Sequence, residues 1–520
     1  MTWRPDGFEG VVLAALFALS VALLGGLLAK VWTDGGVLSG SDGLLVVDPL
    51  QYLNWLRQSA DHGAAANLYD GRSGPHSFVH PGLLLAGGLH ALGLGVAASY
   101  LVFKPLAVLA LFAGALLYVR RFLPRRDDRH LALLLGLLAA VPTAAIVGWT
   151  GAGGSRAQFE FDLVVYELWN GSSLWGYLFT AVAIGLLPLG LLAYERGRRD
   201  GTARWLAAAG ACGLLCAWLQ PWQGATFALV LLATEAVLSV LGRRGPRLRW
   251  VVGLVAVLAA TAAPLVYYLL LSKLDPSWEL AGQVNRADVF GGRAWGAVVL
   301  GLAPLTVPAA LAYRRVPRDF GHVALRVWPL AGLLVFAAPA GTFPFHALQG
   351  LTLPLVVLGV LAWRRLLRDR PLPLPWAVAV AVVLIVPGTA YRVEQARDQI
   401  AEGRQPHVLK TGERDALAAL DRDARSGTVL APAYLGPLVP AYTGRETWVG
   451  AGSWTPDLAR RTAEAEALFS GRLAPDRARA LIRRSGARFL LADCQGRADL
   501  RPLGLRARRY GCATVYRVPG

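Results

Sequence analysis

Charged residues are scarce in this chain of 520 residues: they make up 17% of the sequence, whereas hydrophobic residues make up 55%. Soluble globular domains are about 25% charged, so the composition excludes a soluble enzyme and indicates a polytopic membrane protein. Lysine and methionine are also rare, with four residues and one. The sequence shows no internal repeat, which weighs against a transporter built from duplicated halves.

Apolar segments of membrane-spanning length recur along the chain. A spanning helix needs about 20 mostly apolar residues, and several segments are short or interrupted by Gly and Pro. We predict a polytopic α-helical membrane protein with about eleven spans, the first of which is retained rather than cleaved as a signal peptide. The predicted spans are 8–30, 99–119, 131–148, 173–194, 203–219, 223–242, 250–271, 295–313, 325–340, 345–363 and 373–390.

Positive charge is concentrated in five connecting loops, 120–129, 196–204, 243–249, 314–326 and 364–370, which hold 21 of the 52 Lys and Arg residues. Basic loops remain on the cytoplasmic side of a membrane, and these five recur after every second span. We therefore predict a cytoplasmic N-terminus and an external C-terminus in the plasma membrane. This orientation and anionic lipid headgroups account for the net charge of +18, so no nucleic-acid partner is expected.

The chain is predicted to have a membrane domain, 1–390, with a long external loop inside it and an external region after it. The first external loop, 31–98, is predicted to hold two juxtamembrane helices, one beginning near Asp48 and one at 81–94, which is too short to cross. Residues 391–520 contain no span and alternate strand-like with helical runs, which predicts a small external α/β domain. Its predicted strands are 428–431, 446–449 and 488–492, its helices 460–470 and 475–484, and its hairpin 507–518.

Cysteine occurs four times and forms no metal-binding CxxC motif. Cys212 and Cys216 lie one helical turn apart in an apolar segment and are expected to be small core residues. Cys494 and Cys512 both lie in the predicted external domain, where an oxidising compartment permits a disulfide. We therefore predict that Cys494 pairs with Cys512.

The sharpest chemical signal lies in the first external loop, where Asp48 precedes Pro49 and is followed by Tyr52 and Trp55. An acid on a surface helix beside aromatic residues suits a general base that takes a proton from a sugar hydroxyl. The alternative is that Asp48 caps the helix, since Asp followed by Pro is a favoured N-terminal pair. One residue can do both.

This arrangement resembles the glycosyltransferase-C superfamily. The resemblance rests on four features: Asp48-Pro-Leu-Gln-Tyr-Leu-Asn-Trp-Leu-Arg-Gln after the first span, His80-Pro before a short apolar helix, Tyr100-Leu-Val-Phe-Lys-Pro at the next span, and the external tail with Ala433-Tyr-Leu-Gly-Pro. It implies an inverting transfer from a polyprenyl-phosphate sugar to a glycan, lipid or protein acceptor of the cell envelope on the external face. Asp48 is then the general base.

The sequence differs from many members of the superfamily in one feature that bears on the cofactor. Many members of the superfamily carry a second acid one or two residues after the first, but Pro49 and Leu50 follow Asp48 here. The resemblance therefore leaves open whether a divalent cation, Mg or Mn, is a cofactor.

Further candidate residues follow from the chemistry that the resemblance implies. The leaving phosphate needs positive charge, and the external candidates are Lys104, Arg286, Arg293 and Arg392, with headgroup snorkelling as the alternative for Lys104. His346 and Gln349 lie just inside a span, where polar groups are pocket candidates by default. Acceptor or cation binding is assigned to Asp42, Tyr52, His80, Glu160, Asp162 and Glu167.

Other interpretations remain open from the sequence. The acids and aromatic residues of 149–172 also fit an ordinary interfacial belt. A transporter or flippase predicts charges in mid-span and duplicated halves, which are not evident. An envelope assembly protein is compatible with the tail, which carries no readable motif.

Overall fold

The computed structural model describes residues 4–519 except 72–73, 243–247, 286, 315–318, 339–342, 369, 371–372, 404 and 497, and of 242, 248–249 and 287–294 it describes the backbone alone. The α-helices are α1 (Gly7–Asp34), α2 (Val47–His62), α3 (Pro81–Ala91), α4 (Val96–Leu101), α5 (Lys104–Phe122), α6 (Arg126–Leu138), α7 (Thr143–Thr150), α8 (Gly154–Leu168), α9 (Asn170–Ser173), α10 (Leu178–Asp200), α11 (Ala203–Leu219), α12 (Pro221–Gly242), α13 (Leu248–Leu274), α14 (Pro276–Val284), α15 (Ala287–Ala310), α16 (Phe320–Ala337), α17 (Thr352–Leu366), α18 (Leu374–Glu402), α19 (Thr411–Asp421), α20 (Leu438–Thr443), α21 (Leu458–Phe469) and α22 (Pro475–Arg484).

The remaining regular elements are short. The strands are β1 (Gly36–Leu38), β2 (Val408–Lys410), β3 (Thr428–Leu430), β4 (Ala487–Ala492), β5 (Arg506–Tyr510) and β6 (Ala513–Arg517). Single 3-10 turns occur at Leu311–Arg314, Pro344–Leu348, Gly452–Trp454 and Arg501–Leu503.

Among the described residues, nine helices are long and apolar enough to cross a membrane, and the bent pair α6 and α7 makes up to ten. Each predicted span falls on one of these helices or on α11, which is apolar but has 17 residues. The structure therefore confirms the polytopic helical class. The span count of eleven and the orientation in the membrane stay predictions.

One predicted span needs correction. The span 131–148 is not one straight helix, because α6 and α7 are bent by 47° at their junction. Pro142 has no N–H to donate and restricts Val141 to extended conformations, which interrupts the helical hydrogen bonds. The helix that carries the last predicted span, α18, continues to Glu402, and the end of the span at 390 stays a prediction.

The chain falls into two compact units. Unit 1 consists of Met1–Val21, Lys104–Leu270 and Asn285–Glu394. Within it, α10 packs against α5 and α11. A Cβ on Gly114 would lie 2.3 Å from the carbonyl oxygen of Gly185, so only glycine permits this approach of α5 to α10. Close contact at small residues is typical of helix packing in membranes.

Unit 2 consists of Ala22–Phe103, Leu271–Val284 and Gln395–Gly520. Its larger sheet has the order β3-β4-β6-β5, in which β3 and β4 are parallel and the other neighbours are antiparallel. The predicted strands at 428–431 and 488–492, both predicted helices and the hairpin are present as β3, β4, α21, α22 and β5–β6.

The predicted strand 446–449 is wrong. Thr447 forms a single bridge with Val429, and its N–H donates to the carbonyl of Leu68 at 2.8 Å. Because the backbone of this segment bonds to two different partners, no strand ladder develops.

Cys494 and Cys512 form a disulfide, which confirms the predicted pair, and they are 18 residues apart in sequence. Closing a loop of this size restricts the unfolded chain and is worth about 3 kcal/mol. We expect replacement of both residues by Ser to lower the thermal unfolding midpoint, measured by scanning fluorimetry in detergent. Reductant should lower the wild-type midpoint to that of the variant and leave the variant unchanged. Equal midpoints without reductant would contradict this expectation.

Candidate active site

Asp48 lies in the first turn of α2 and is exposed. The N-cap position belongs to Val46, which makes no side-chain capping bond, so Asp48 is not the capping residue. A carboxylate in the first turn of a helix is nevertheless stabilised by the helix dipole. Tyr52 lies one turn further along α2, and its ring is 6.0 Å from that of Tyr100.

The buried side of α2 carries amides as well as leucines. Gln58 Nε2 donates to Asn54 Oδ1 at 2.8 Å and to the Ala66 carbonyl at 3.0 Å. The amide of Gln51 is buried and has no hydrogen-bond partner among the described residues. Buried amides without protein partners mark positions for water or a polar ligand. No role was assigned to these amides from the sequence, although their spacing places them on one side of the helix.

The loop before α2 is anchored by the C-terminal part of unit 2. β1 pairs with β2, and the Ser39 N–H donates to the carbonyl of His407 at 2.8 Å. Tyr442 Oη donates to the Ser39 carbonyl at 2.8 Å, and His407 Nδ1 donates to the Ser41 carbonyl at 3.2 Å. Asp42 is fully buried in this loop. Its assignment to acceptor or cation binding stays a prediction.

Burial lowers the pKa of His407 below its usual value of 6.5. Below pH 6.5 the unfolded chain therefore binds a proton here that the folded chain does not bind, so stability falls as the pH falls through 6.5. We expect the unfolding midpoint of wild type to fall more steeply from pH 7 to pH 5 than that of His407→Gln, which cannot titrate. Parallel pH profiles for the two proteins would contradict this assignment.

His80 has a structural function. It is the N-cap of α3, and its Nδ1 accepts the N–H of Leu83 at 3.2 Å. The helix it caps packs directly on α2, since a Cβ on Gly87 would lie 2.8 Å from the carbonyl oxygen of Leu56. This bond engages Nδ1 alone, and the assignment of His80 to acceptor or cation binding stays a prediction.

Four aromatic residues from distant segments meet in unit 2. The ring of Trp55 lies 4.6 Å from Phe78 and 5.3 Å from Trp454, and the ring of Trp278 lies 4.8 Å from Phe78 and 4.9 Å from Trp454. Trp278 and Trp454 are half-buried and present aromatic surface. Sequence reasoning did not assemble this cluster, because its members come from four separate segments.

Lys104, in unit 1, is buried and begins α5. Its ammonium donates to the carbonyl of Ser20 at 2.6 Å and to that of Leu174 at 2.8 Å. This geometry does not fit snorkelling to the headgroups, and it supports a structural role in place of the predicted phosphate contact.

Glu167, His346 and Gln349 meet in a buried polar network of unit 1. Glu167 Oε2 accepts hydrogen bonds from Gln349 Nε2 at 2.6 Å and from His346 Nδ1 at 3.0 Å. Gln220 Nε2 donates to Gln349 Oε1 at 3.2 Å, and Gln223 Nε2 donates to the carbonyls of His346 and Gln349, each at 3.1 Å. The structure thus brings Glu167, predicted to bind acceptor or cation, together with His346 and Gln349, predicted as pocket residues.

Asp162 and Arg392 also meet. Arg392 is 3% exposed; its Nη1 lies 3.1 Å from Asp162 Oδ1, and its Nη2 donates to the Asp162 carbonyl at 2.7 Å. The hydroxyl of Tyr391 donates to Asp162 Oδ2 at 3.3 Å. Because the Asp162 carboxylate balances the charge of Arg392, Arg392 offers less positive charge to a phosphate.

Three predicted site residues remain: Glu160, Arg286 and Arg293. Glu160 pairs with Arg156 at 3.2 Å, one turn before it in α8. Arg286 lies outside the described residues, and the side chain of Arg293 is likewise not among those described.

A divalent cation requires oxygen ligands that converge on one point. Within the described part of the chain, Asp6, Glu9 and His130 form the one group of three possible ligands whose atoms lie within 4.8 Å. Arg126 and Arg120 already pair with these two carboxylates. The acids predicted as cation ligands, Glu160, Asp162 and Glu167, have separate protein partners. Cation binding by these acids and by Asp42 stays a prediction, and the chemistry proposed below does not include a cation.

The structure has many apolar helices and an acid, Asp48, in the first turn of α2. Comparison with solved structures identifies this fold. No protein-family model and no curated protein matches the sequence. The structure is similar to the archaeal oligosaccharyltransferase AglB from Archaeoglobus fulgidus, solved with an inhibitory peptide and a dolichol-phosphate. The TM-score is 0.51 at 14% identity, over 94% of this chain and 70% of AglB.

The structure is also similar to ArnT from Cupriavidus metallidurans bound to undecaprenyl phosphate. The TM-score is 0.50 at 13% identity, over 98% of this chain and 97% of ArnT. These likenesses show that the chain has the glycosyltransferase-C fold, and they confirm the resemblance inferred from the sequence.

Proposed function

We propose that this chain is an inverting glycosyltransferase that moves a sugar from a polyprenyl-phosphate donor to a cell-envelope acceptor on the external face of the membrane. The observation that carries the proposal is the shared fold. It covers nearly the whole chain in two comparisons with proteins that were solved with polyprenyl phosphates.

The proposed chemistry centres on Asp48. Its carboxylate takes the proton of an acceptor hydroxyl while the hydroxyl oxygen attacks the anomeric carbon of the sugar. The bond to the phosphate oxygen breaks, and polyprenyl phosphate leaves with the electron pair. Attack opposite to the leaving group inverts the anomeric configuration. The exposed position of Asp48 and the neighbouring Tyr52 support this role.

The aromatic cluster of unit 2 supports the same function. Sugars present apolar C–H faces that pack on aromatic rings, and Trp278 and Trp454 each leave part of their surface accessible. We assign these two residues to acceptor binding. Lys104 has no part in the proposed chemistry, because its ammonium is already bound by two carbonyls.

Binding of the leaving lipid tests the donor class without requiring the sugar to be known. We expect undecaprenyl phosphate to raise the unfolding midpoint of the purified protein, because a ligand at 100 times its Kd stabilises by about 2.7 kcal/mol. Undecaprenol, which lacks the phosphate, is the matched control and should have little effect. Equal stabilisation by both lipids, or none by either, would contradict the proposed donor class.

A further inference from the structure

Unit 2 contains a cavity of about 410 Å³ whose described lining includes neither Asp48 nor Tyr52. Its walls come from the chain just after α2, the first residues of α14, the segment before α21 and the ends of α21 and α22. The charged and aromatic lining residues are Asp70, Trp448, Asp457, Arg460, Arg461 and Arg484. Pockets of this size hold one small ligand.

Three arginines and two aspartates line the cavity, and Glu464, which is not among the lining residues, pairs with two of these arginines. Arg460 pairs with Asp457 at 2.8 Å and with Glu464 at 3.3 Å, and Arg484 pairs with the same Glu464 at 2.7 Å. Both arginines are about half exposed, with side-chain exposures of 48% and 52%. Exposed ion pairs are weak, so a ligand carboxylate or phosphate can displace these partners at small cost. Guanidinium groups bind such anions through two parallel hydrogen bonds.

Arg461 is fixed in place. Its Cζ lies 3.7 Å from the centroid of the Trp448 ring, and its Nη1 donates to the carbonyl of Asp70 at 2.9 Å. The indole N–H of Trp448 is buried and has no hydrogen-bond partner among the described residues. Because Arg461 covers one face of the indole and only 6% of Trp448 is exposed, Trp448 does not offer an open stacking surface for a nucleotide base.

The rest of the lining suits a sugar ring. Pro276, Leu280 and Pro456 supply apolar surface for its C–H groups, and the Asp70 and Asp457 carboxylates can accept hydrogen bonds from its hydroxyls. The hydrogen bond from Arg460 holds the pKa of Asp457 below its usual value, so this acceptor is ionised at neutral pH. Asp457 also has a φ of 48°, a conformation uncommon for residues other than glycine that tends to occur at functional sites.

We propose that this cavity binds a sugar residue carrying an anionic group, with Arg460 and Arg484 holding the anion and the aspartates holding ring hydroxyls. The ligand class is an acidic saccharide, for which a carboxylate or phosphate substituent provides the same charge. The inference goes beyond sugar transfer, because binding here requires neither a lipid donor nor the Asp48 carboxylate.

The test is equilibrium binding to the purified full-length protein in detergent, followed by saturation-transfer NMR. The probes are methyl β-glucuronoside, methyl β-glucoside, which lacks the carboxylate on the same ring, and inorganic phosphate. We expect the glucuronoside to bind at least about tenfold more tightly than the glucoside. Arg484→Gln should weaken glucuronoside binding by about tenfold. Asp48→Asn should leave it unchanged, which separates this proposal from the proposed transfer reaction.

Arg479→Gln is the matched control, because Arg479 lies on the same helix, is exposed, pairs with Asp476 and does not line the cavity. It should bind the glucuronoside as wild type does. Equal binding of glucuronoside and glucoside would overturn the proposal, as would equal effects of the two arginine substitutions. Phosphate that binds as tightly as the glucuronoside would also overturn it, because the cavity would then select an anion and not a sugar.

Discussion

Asp48→Asn is expected to lower the rate of sugar transfer by about 10²- to 10⁴-fold, the contribution typical of a general base. Asparagine has nearly the same shape as aspartate but cannot take the acceptor proton. Asp48 is exposed and is not the N-cap of α2, so the unfolding midpoint should change little. The measurement is the initial rate of transfer at saturating donor and acceptor, which reports kcat.

Asp61→Asn is the matched control for this experiment. Asp61 lies on the same helix and pairs with Arg57 at 3.5 Å, with 44% of its side chain exposed. Losing such a pair costs at most about 1 kcal/mol, so the transfer rate should remain at the wild-type value. A wild-type kcat in Asp48→Asn would show that Asp48 is not the base.

Asp162→Asn is expected to destabilise the protein by about 3 kcal/mol, because it leaves the guanidinium of Arg392 buried without its balancing charge. Arg392→Met should have a smaller effect, since 22% of the Asp162 side chain is exposed and can be solvated. The double variant should lose less stability than the sum of the two single losses. The difference measures the coupling of the pair. The readout is the unfolding midpoint of each variant in detergent.

Glu160→Gln is the control for the Asp162 substitution. It removes an acid from the same helix, but its partner Arg156 is 64% exposed, so the loss should stay below about 1 kcal/mol. If Arg392 instead serves mainly to bind the donor phosphate, Arg392→Met will weaken binding of undecaprenyl phosphate and leave stability unchanged. That result would contradict the structural role assigned to the pair.

Features that depend on local spacing could be predicted from the sequence. Leu50, Leu53 and Leu56 recur at helical spacing, and all three are buried on one side of α2. The length of 81–94 excluded a span, and the structure forms the 11-residue helix α3 there. The bend at Pro142 was also readable, since proline cannot continue the hydrogen bonds of a helix, but the span was predicted as continuous.

Features that depend on contacts between distant segments could not be predicted. Glu167 and His346 are 179 residues apart in sequence, and only the packing of their helices brings the carboxylate to the imidazole. For Lys104, the position of a charge in an apolar run does not reveal which carbonyls surround it. The same limit applies to the aromatic cluster and to the cavity of unit 2, because the residues of each come from separate parts of the chain.

The most direct test of the account is sugar transfer by the purified protein from a panel of radiolabelled polyprenyl-phosphate sugars to an envelope acceptor. The same monosaccharides supplied as nucleotide sugars serve as the donor control. We expect label to reach the acceptor from at least one lipid donor and from no nucleotide donor, and we expect Asp48→Asn to abolish the transfer. Transfer from nucleotide sugars, or no transfer from any lipid donor, would contradict it.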